Sequence, residues 1–353
     1  MADDPRMEKL QRLLDMDIDP WGHRIDDRML IGEIRALGDD VRFKTESGEL
    51  LELPPIDDEN REAFRTWVGE QGPGEFVGPQ VRAAGRIVLQ RKKGKLRFVD
   101  IRDYTGQIQL FIGRGQVGEE QWAISDQFDL GDIIAVDGQL RRTKMGELTI
   151  FAERLHFMTK ALDPPPEKYH GLKDLELRQR RRYLDLTYGD GVMERFVDRI
   201  KIVDSIRGTL KRRKYFEVEG PTLHAIAGGA AARPFVTHHN ALDMELFMRI
   251  ALELHLKRLL VGGMDRVFEL GRVYRNEGIS PKHNPEFTMM EAYEAFGNYE
   301  TMMDLTEQLV VDAIEALGKG YRLPWGEVEI DYSPPFQRAT DGERFGSRSG
   351  VSA

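Results

Sequence analysis

The chain has 353 residues, 41% hydrophobic and 31% charged, with a net charge of -9 at pH 7. Length and apolar content suit two or so domains with a sizeable core and exclude a disorder-dominated chain, while the acidic balance excludes a generally basic nucleic-acid coat, leaving only local patches for such a partner. With no cysteine there is no disulfide and no cysteine zinc site, and no apolar run is long enough for a membrane span or a signal-peptide core, so a cytoplasmic location with neither a membrane nor DNA as partner is expected.

Residues 1–76 read as a helical extension and linker. An amphipathic helix is expected around Met7 to Met16, a broken pattern follows to Leu53, and Pro54, Pro55 and the Gly-Pro run from Gly72 to Gly78 punctuate a connection. A docking arm without chemistry is the simplest role. Residues 77–162 alternate as strands: Val81 to Leu89, Leu96 to Ile101 and Ile108 to Ile112, a helix around Glu119 to Gln127, then Ile133 to Leu140 and Leu148 to Phe157. Three strands, a helix and two strands is the order of an OB-fold, a five-stranded barrel that often binds single-stranded nucleic acid across strands two and three. Phe98 follows the basic loop Arg91, Lys92, Lys93, Lys95 and Arg97, and Gln109 lies on the third strand. An exposed ring there stacks a base while the amide bonds a base edge, although alternation alone allows Phe98 equally to be core. Pro164 to Pro166 close this domain. The runs Arg178 to Arg182 and Lys211 to Lys214 add positive charge, which by itself is an ordinary solvated face.

Residues 163–340 carry the more specific patterns. Glu194 to Leu223 reads as a long helix with Phe196, Ile200, Val203 and Leu210 on one apolar side, a short strand from Phe216 to Val218, then Pro221. Farther on, FELGRVYRNE (Phe268 to Glu277) suits a strand with Glu269, Gly271, Val273, Arg275 and Glu277 on one face. Gly278 and Pro281 mark a loop with Lys282, His283 and Asn284, and a second strand from Glu286 to Phe296 aligns Phe287, Met289, Glu291, Tyr293 and Ala295. A closed hairpin would offer a guanidinium, a ring for stacking and carboxylates for an amine, which fits a nucleotide and a cationic substrate.

The run RNEGISPKHNPEFTMMEAY closely resembles the second signature motif of class II aminoacyl-tRNA synthetases, and its wording is similar to that of lysyl-tRNA synthetases. Gly228 to Arg258 is similar to the segment that precedes this motif, the helix, strand and Pro221 resemble the first class II motif, and HGLKDLELRQRRRYLDL resembles the crossover into the catalytic domain. The resemblance implies an α+β protein: an N-terminal five-stranded OB-fold barrel for the anticodon, then a partial class II antiparallel sheet with flanking helices. It implies activation of lysine with ATP and Mg²⁺ to lysyl-adenylate, transfer to tRNA(Lys), and a homodimer formed through the first motif.

Residue by residue, the resemblance assigns Arg275 and Glu277 to catalysis. ATP falls to these two with His283, Asn284 and Phe287; lysine to Gly228, Gly229, Glu253, Glu291 and Tyr293; and the anticodon to Phe98, Gln109 and Glu147. Two carboxylates facing the substrate side chain suit a cation and disfavour the aspartyl and asparaginyl relatives. From Asp341 the tail DGERFGSRSGVSA has no periodicity, and residues 341–353 are expected to be a non-family, truncated or out-of-frame end. The family's third motif and Mg²⁺-binding acids are not among the residues read here, so no metal ligand is assigned. The alternatives are a catalytically incomplete fragment that binds tRNA or dimerises, and another class II aminoacyl-tRNA ligase.

Overall fold

In the computed structural model, which describes residues 5–56, 60–166 and 174–340, the chain falls into two compact units dividing between Asp190 and Gly191. The barrel of the first unit follows the alternation in the sequence. β4 (Gln80–Lys93), β5 (Leu96–Arg102), β6 (Gln107–Gly113), β7 (Ile133–Arg142) and β8 (Leu148–Thr159) close in the order β4-β5-β6-β8-β7, with the helix Arg114–Ser125 between β6 and β7. Val99, Ile101, Ile108, Leu110 and Ile112 point into its core, as a two-residue period demands. The parallel pairing of β6 with β8 closes the OB-fold.

The extension is more than a helical arm, which corrects the reading of residues 1–76. It holds α1 (Pro5–Asp15), α2 (Ile31–Ala36) and α3 (Arg61–Glu70), making the barrel helix α4, and a small sheet of β1 (Arg42–Thr45), β2 (Leu50–Leu51) and β3 (Gly74–Val77) in the order β2-β1-β3. Leu13, Ile31, Ile34, Phe43, Phe64 and Phe76 are buried in the same apolar cluster as the barrel residues. Their burial, about 1.5–3 kcal/mol for each large side chain, is what draws the segment onto the barrel. Part of the expected Gly-Pro linker is strand β3, and Gly74 is there for space: a Cβ would lie 2.5 Å from Lys44 O.

The domain change expected at residue 163 falls later in the contacts of the chain. His170 to Lys173 of the crossover lie outside the described residues, as does the tail 341–353. The short helices α5 (Leu175–Arg180) and α6 (Arg182–Tyr188) group with the barrel unit, where Arg102 Nη1 donates to Thr187 O at 3.2 Å. Buried Asp185 takes Arg178 at 2.7 Å and Arg182 at 2.6 Å, so two cations of that basic run serve structure.

The second unit is built on β13 (Arg266–Tyr274) and β14 (Glu286–Glu294), which pair antiparallel, with β9 (Phe216–Glu217) parallel to β13 on the other side. Before them come α7 (Val192–Arg212), the sheet of β10 (Leu223–His224), β11 (Val236–His239) and β12 (Met244–Met248), and α8 (Glu253–Val261). After them come α9 (Tyr299–Leu317) and the hairpin of β15 (Arg322–Trp325) and β16 (Val328–Asp331). One face of β13-β14 packs Phe268, Met290 and Ala292 with Leu210, Tyr215 and Leu305; the other packs Val267, Val273, Phe287 and Tyr293 with Leu252 and Leu256.

The inward side of α7 is set by Ile206 and Leu210. Phe196 and Ile200, expected on a single apolar side with Leu210, are 42% and 63% exposed. Periodicity shows that a helix has an apolar stripe but not which part of it meets a partner element.

Candidate active site and nucleic-acid face

The hairpin register decides which side chains share a surface. Glu269 pairs with Glu291, Gly271 with Met289, Val273 with Phe287 and Val267 with Tyr293, so all eight face one side. The expected common face is therefore present, with one correction at its end. β13 stops at Tyr274 because Asn276 N–H leaves the ladder to reach Arg233 O at 2.7 Å, and Glu277 N–H turns back onto Arg275 O at 3.0 Å. Arg275 keeps one cross-strand bond, its N–H donating to Pro285 O at 2.8 Å. Glu277 leaves the strand, and its carboxylate accepts from Arg233 N–H at 3.3 Å.

Arg275 and Phe287 meet directly. The guanidinium carbon is 5.2 Å from the ring centroid and Nε donates to Ile250 O at 3.4 Å, which leaves other N–H groups of the fork for an anion. His283 and Asn284 lie in the exposed loop between the strands, where His283 Nδ1 is 2.8 Å from Ser280 Oγ.

A second cluster forms beside this one. Glu291 Oε1 accepts from Leu252 N–H at 3.0 Å, and Glu291 Oε2 accepts from the Tyr293 hydroxyl at 2.9 Å. Burial, then the bond to Glu291 and the charges of Glu291 and Glu253, push the Tyr293 phenol above its usual range, so it stays protonated and donates. Glu253 opens α8 and pairs with Lys257 Nζ at 2.6 Å, and that ammonium is 5.8 Å from the Tyr293 ring centroid. Gly228 and Gly229 press on the same helix start: a Cβ on Gly229 would lie 3.1 Å from Ala251 Cβ and 3.2 Å from Glu253 Cβ. Gly228, Gly229, Glu253, Glu291 and Tyr293 are thus gathered around the first turn of α8.

Under this face lies a pair that the sequence reading did not assign to the site. Arg249 and Glu269 are 6% and 4% exposed and meet at 2.5 Å. Glu269 Oε2 also accepts from Gly220 N–H at 3.0 Å, and Arg249 Nε donates to Arg272 O at 2.7 Å. The signal was available: a glutamate alternating with Val267 and Val273 on a core-facing strand requires a buried cation. Among the described residues no group of three or more His, Asp or Glu side chains could hold a metal ion.

On the barrel, Phe98, Phe111 and Phe151 are aligned across β5, β6 and β8 by register. Phe98 meets Phe111 edge-on at 5.5 Å, Phe111 lies 4.7 Å from Phe151, and Arg141 covers Phe151 at 5.3 Å. Alternation resolves the position of Phe98: Val99 and Ile101 take the core and Phe98 stands half-buried on the outer face. One register step away Thr149 Oγ1 donates to Gln109 Oε1 and to Glu147 O, each at 3.2 Å. Phe98 and Gln109 therefore share one aromatic and polar face, and Glu147 lies exposed just before β8. Arg97 and Lys92 are committed to Asp126, each at 2.6 Å, while Arg91, Lys93 and Lys95 remain exposed. Among the described residues no helix is long and apolar enough to cross a membrane.

Comparison with known proteins finds matches in both units. Residues 174–346 match the model of the tRNA synthetases class II (D, K and N), and residues 81–157 match that of the OB-fold nucleic acid binding domain. A Staphylococcus epidermidis protein named lysine-tRNA ligase is 44% identical over 333 residues, 94% of this chain and 62% of that protein. Proteins of the same name from Lysinibacillus sphaericus and Staphylococcus saprophyticus are 45% and 42% identical, over 94% and 98% of this chain and 61% and 65% of their own lengths. The chain thus spans less than two thirds of the length of these relatives.

Proposed function

Since the chain belongs to the class II aminoacyl-tRNA synthetases of the aspartyl, lysyl and asparaginyl group, we propose that it serves a lysine-tRNA ligase reaction. Lysine carboxylate attacks the α-phosphorus of ATP, giving lysyl-adenylate and pyrophosphate; a terminal ribose hydroxyl of tRNA(Lys) then takes the lysyl group and AMP leaves. Neither step needs a covalent enzyme intermediate, so the residues act by positioning and by neutralising phosphoryl charge.

In this reading Arg275 binds the α-phosphate and the substrate carboxylate, and Phe287 stacks the adenine, with Asn284 at its edge. His283 reaches the outer phosphates from the loop, and Glu277 orients the nucleotide side. Gly228, Gly229 and Glu253 take the α-amine; Glu291 and Tyr293 take the ε-ammonium. Mg²⁺ enters as the counter-ion of ATP. Phe98, Gln109 and Glu147 read the anticodon, the exposed part of α7 serves a homodimer, and the cytoplasm supplies tRNA(Lys).

The observation that carries this reading is the meeting of Glu253, Glu291 and the protonated Tyr293 beside Arg275 and Phe287. A half-buried carboxylate that a neutral or acidic side chain would leave without a counter-charge is what selects lysine. The test is amino-acid-dependent ATP–pyrophosphate exchange on the purified chain. Exchange driven by lysine, with the KM for lysine raised about tenfold or more by Glu291→Gln and that for ATP little changed, is the expected result. Exchange driven by aspartate or asparagine, or near-normal lysine use in Glu291→Gln, would overturn it. No exchange from a folded chain that binds tRNA(Lys) would leave the tRNA-binding reading in its place.

A further inference from the structure

A second concave surface, in the N-terminal unit, is made of residues that the proposed reaction does not use. Residues 21–29 form a strap tied to the barrel at both ends. Trp21 bridges Thr159 of β8, and Met29 bridges Ala83 of β4, its N–H donating to Arg82 O at 2.9 Å. Gly22, at φ 96°, turns the strap in a conformation that other residues rarely adopt. Strap and barrel border an open cavity of about 690 Å³, inside the roughly 300–1,000 Å³ typical of small-molecule sites.

The lining of this cavity is strongly cationic. Trp21, His23, Arg24 and Arg28 come from the strap and Arg86 and Arg102 from the barrel, and no aspartate or glutamate is among the described lining residues. The two barrel arginines are half-buried and are fixed by uncharged oxygens. Arg86 Nη1 donates to Gly131 O at 2.7 Å; Arg102 Nη2 donates to Gln107 Oε1 at 2.9 Å and its Nη1 to Thr187 O at 3.2 Å. Neutral acceptors orient a guanidinium without cancelling its charge, so both keep that charge for an anion. Arg24 is paired with Asp26 on the exposed strap, where an ion pair contributes little and yields readily to a better anion. Trp21 is 59% exposed, an indole face beside four arginines on a chain of net charge -9.

We propose that this cavity binds a nucleoside polyphosphate, its phosphates on Arg86, Arg102 and Arg28 and its base stacked on Trp21. A single carboxylate or monophosphate would leave most of the guanidinium charge unmatched, whereas a polyphosphate chain meets several forks at once. An aromatic base supplies the partner for the indole face, which stacks any base without regard to its edge.

GTP is the probe, titrated into the full chain at low ionic strength and followed by calorimetry and tryptophan fluorescence. Binding of one GTP is expected, unchanged by Arg275→Ala at the hairpin site and competed by inorganic tripolyphosphate. Arg102→Gln and Trp21→Ala should each weaken it about tenfold, and Trp21→Phe should retain it. Arg102 also braces α6, so the exposed Arg28→Gln and Trp21→Ala decide the matter if Arg102→Gln fails to fold. A 5′-hydroxyl single-stranded oligonucleotide should leave GTP bound; if it displaces GTP, the cavity belongs to an RNA backbone and the proposal falls. Absence of GTP binding, or binding that Arg275→Ala abolishes and Trp21→Ala does not touch, would equally overturn it.

Discussion

Gly271 occupies a position where a side chain has no room: a Cβ there would collide with Arg249 Nη2 and come within 3.2 Å of Glu269 Oε1. The glycine is thus the third member of the buried Arg249–Glu269 arrangement. Removing one partner of such a pair strands the other charge, so Glu269→Ala should lower stability by about 3–5 kcal/mol, with Gly271→Ala causing part of the same loss. Urea denaturation measures both, and unchanged midpoints would mean that Arg249 finds water. Asp137 makes a different demand, through pH. It accepts Arg82 Nε at 2.5 Å and Nη2 at 3.1 Å and sits 2.9 Å from His156 Nε2. The bond to Arg82, followed by that to His156, holds its carboxyl below the usual value of 3.8 against the opposing effect of burial. Because the folded pKa is the lower one, this contribution is complete above the unfolded value and is lost as pH falls through the folded value. Asp137→Asn should therefore flatten the acid limb of stability, measured by urea midpoints between about pH 6 and about pH 2; an unchanged limb would assign acid sensitivity to other carboxylates.

At the scale of elements, the hairpin does more than carry binding groups. The N-cap residue of α8, Leu252, has no side-chain oxygen, and Glu291 from β14 takes its N–H at 3.0 Å. A carboxylate at a helix start also meets the positive end of the helix dipole. Capping and substrate binding can be separated by two variants: Glu291→Ala should cost about 1 kcal/mol in chemical denaturation, whereas Glu291→Gln keeps an acceptor and should cost much less. Loss of lysine-dependent exchange in both would assign the charge to the substrate; loss in Glu291→Ala alone would make Glu291 a cap. The hairpin and the barrel were legible because a period of two, interrupted by Gly278 and Pro281 or by basic turns, fixes both strand identity and face. The end of β13 was not, since it depends on a bond between Asn276 and Arg233, 43 positions apart by their numbers. The sheet of β1, β2 and β3 was hidden for another reason: strands of four, two and four residues are too short to show a period, and Phe43 pairs with Phe76 across a long intervening segment that includes β2 and α3. Gly228 and Gly229 are assigned to the pocket by resemblance alone; the structure packs Gly229 against Ala251 and Glu253 and Gly228 against Leu254, a closeness that alternation does not show.

At the scale of the whole molecule, the question is whether the N-terminal extension is an arm or part of the barrel. Phe64 is 1% exposed and stacks on Phe76 at 5.9 Å, which meets Phe43 at 5.3 Å, inside the cluster that also contains Ile101 and Leu110. A polar network adds to this. The fully buried Lys160 ammonium reaches Asp129 at 2.6 Å and Asp132 at 2.9 Å, and Lys9 of α1 reaches Asp129 at 2.6 Å. With apolar and ionic contacts both shared, opening the extension exposes barrel core and takes the Lys9 ammonium away from Asp129, so the two should unfold together. Phe64→Ala should therefore cost about 3–5 kcal/mol and reduce hydrogen-exchange protection in β6 of the barrel as much as in α3. Protection lost only in α1 to α3, with β6 untouched, would show an arm that detaches on its own, and the proposed anticodon face would then rest on the barrel alone.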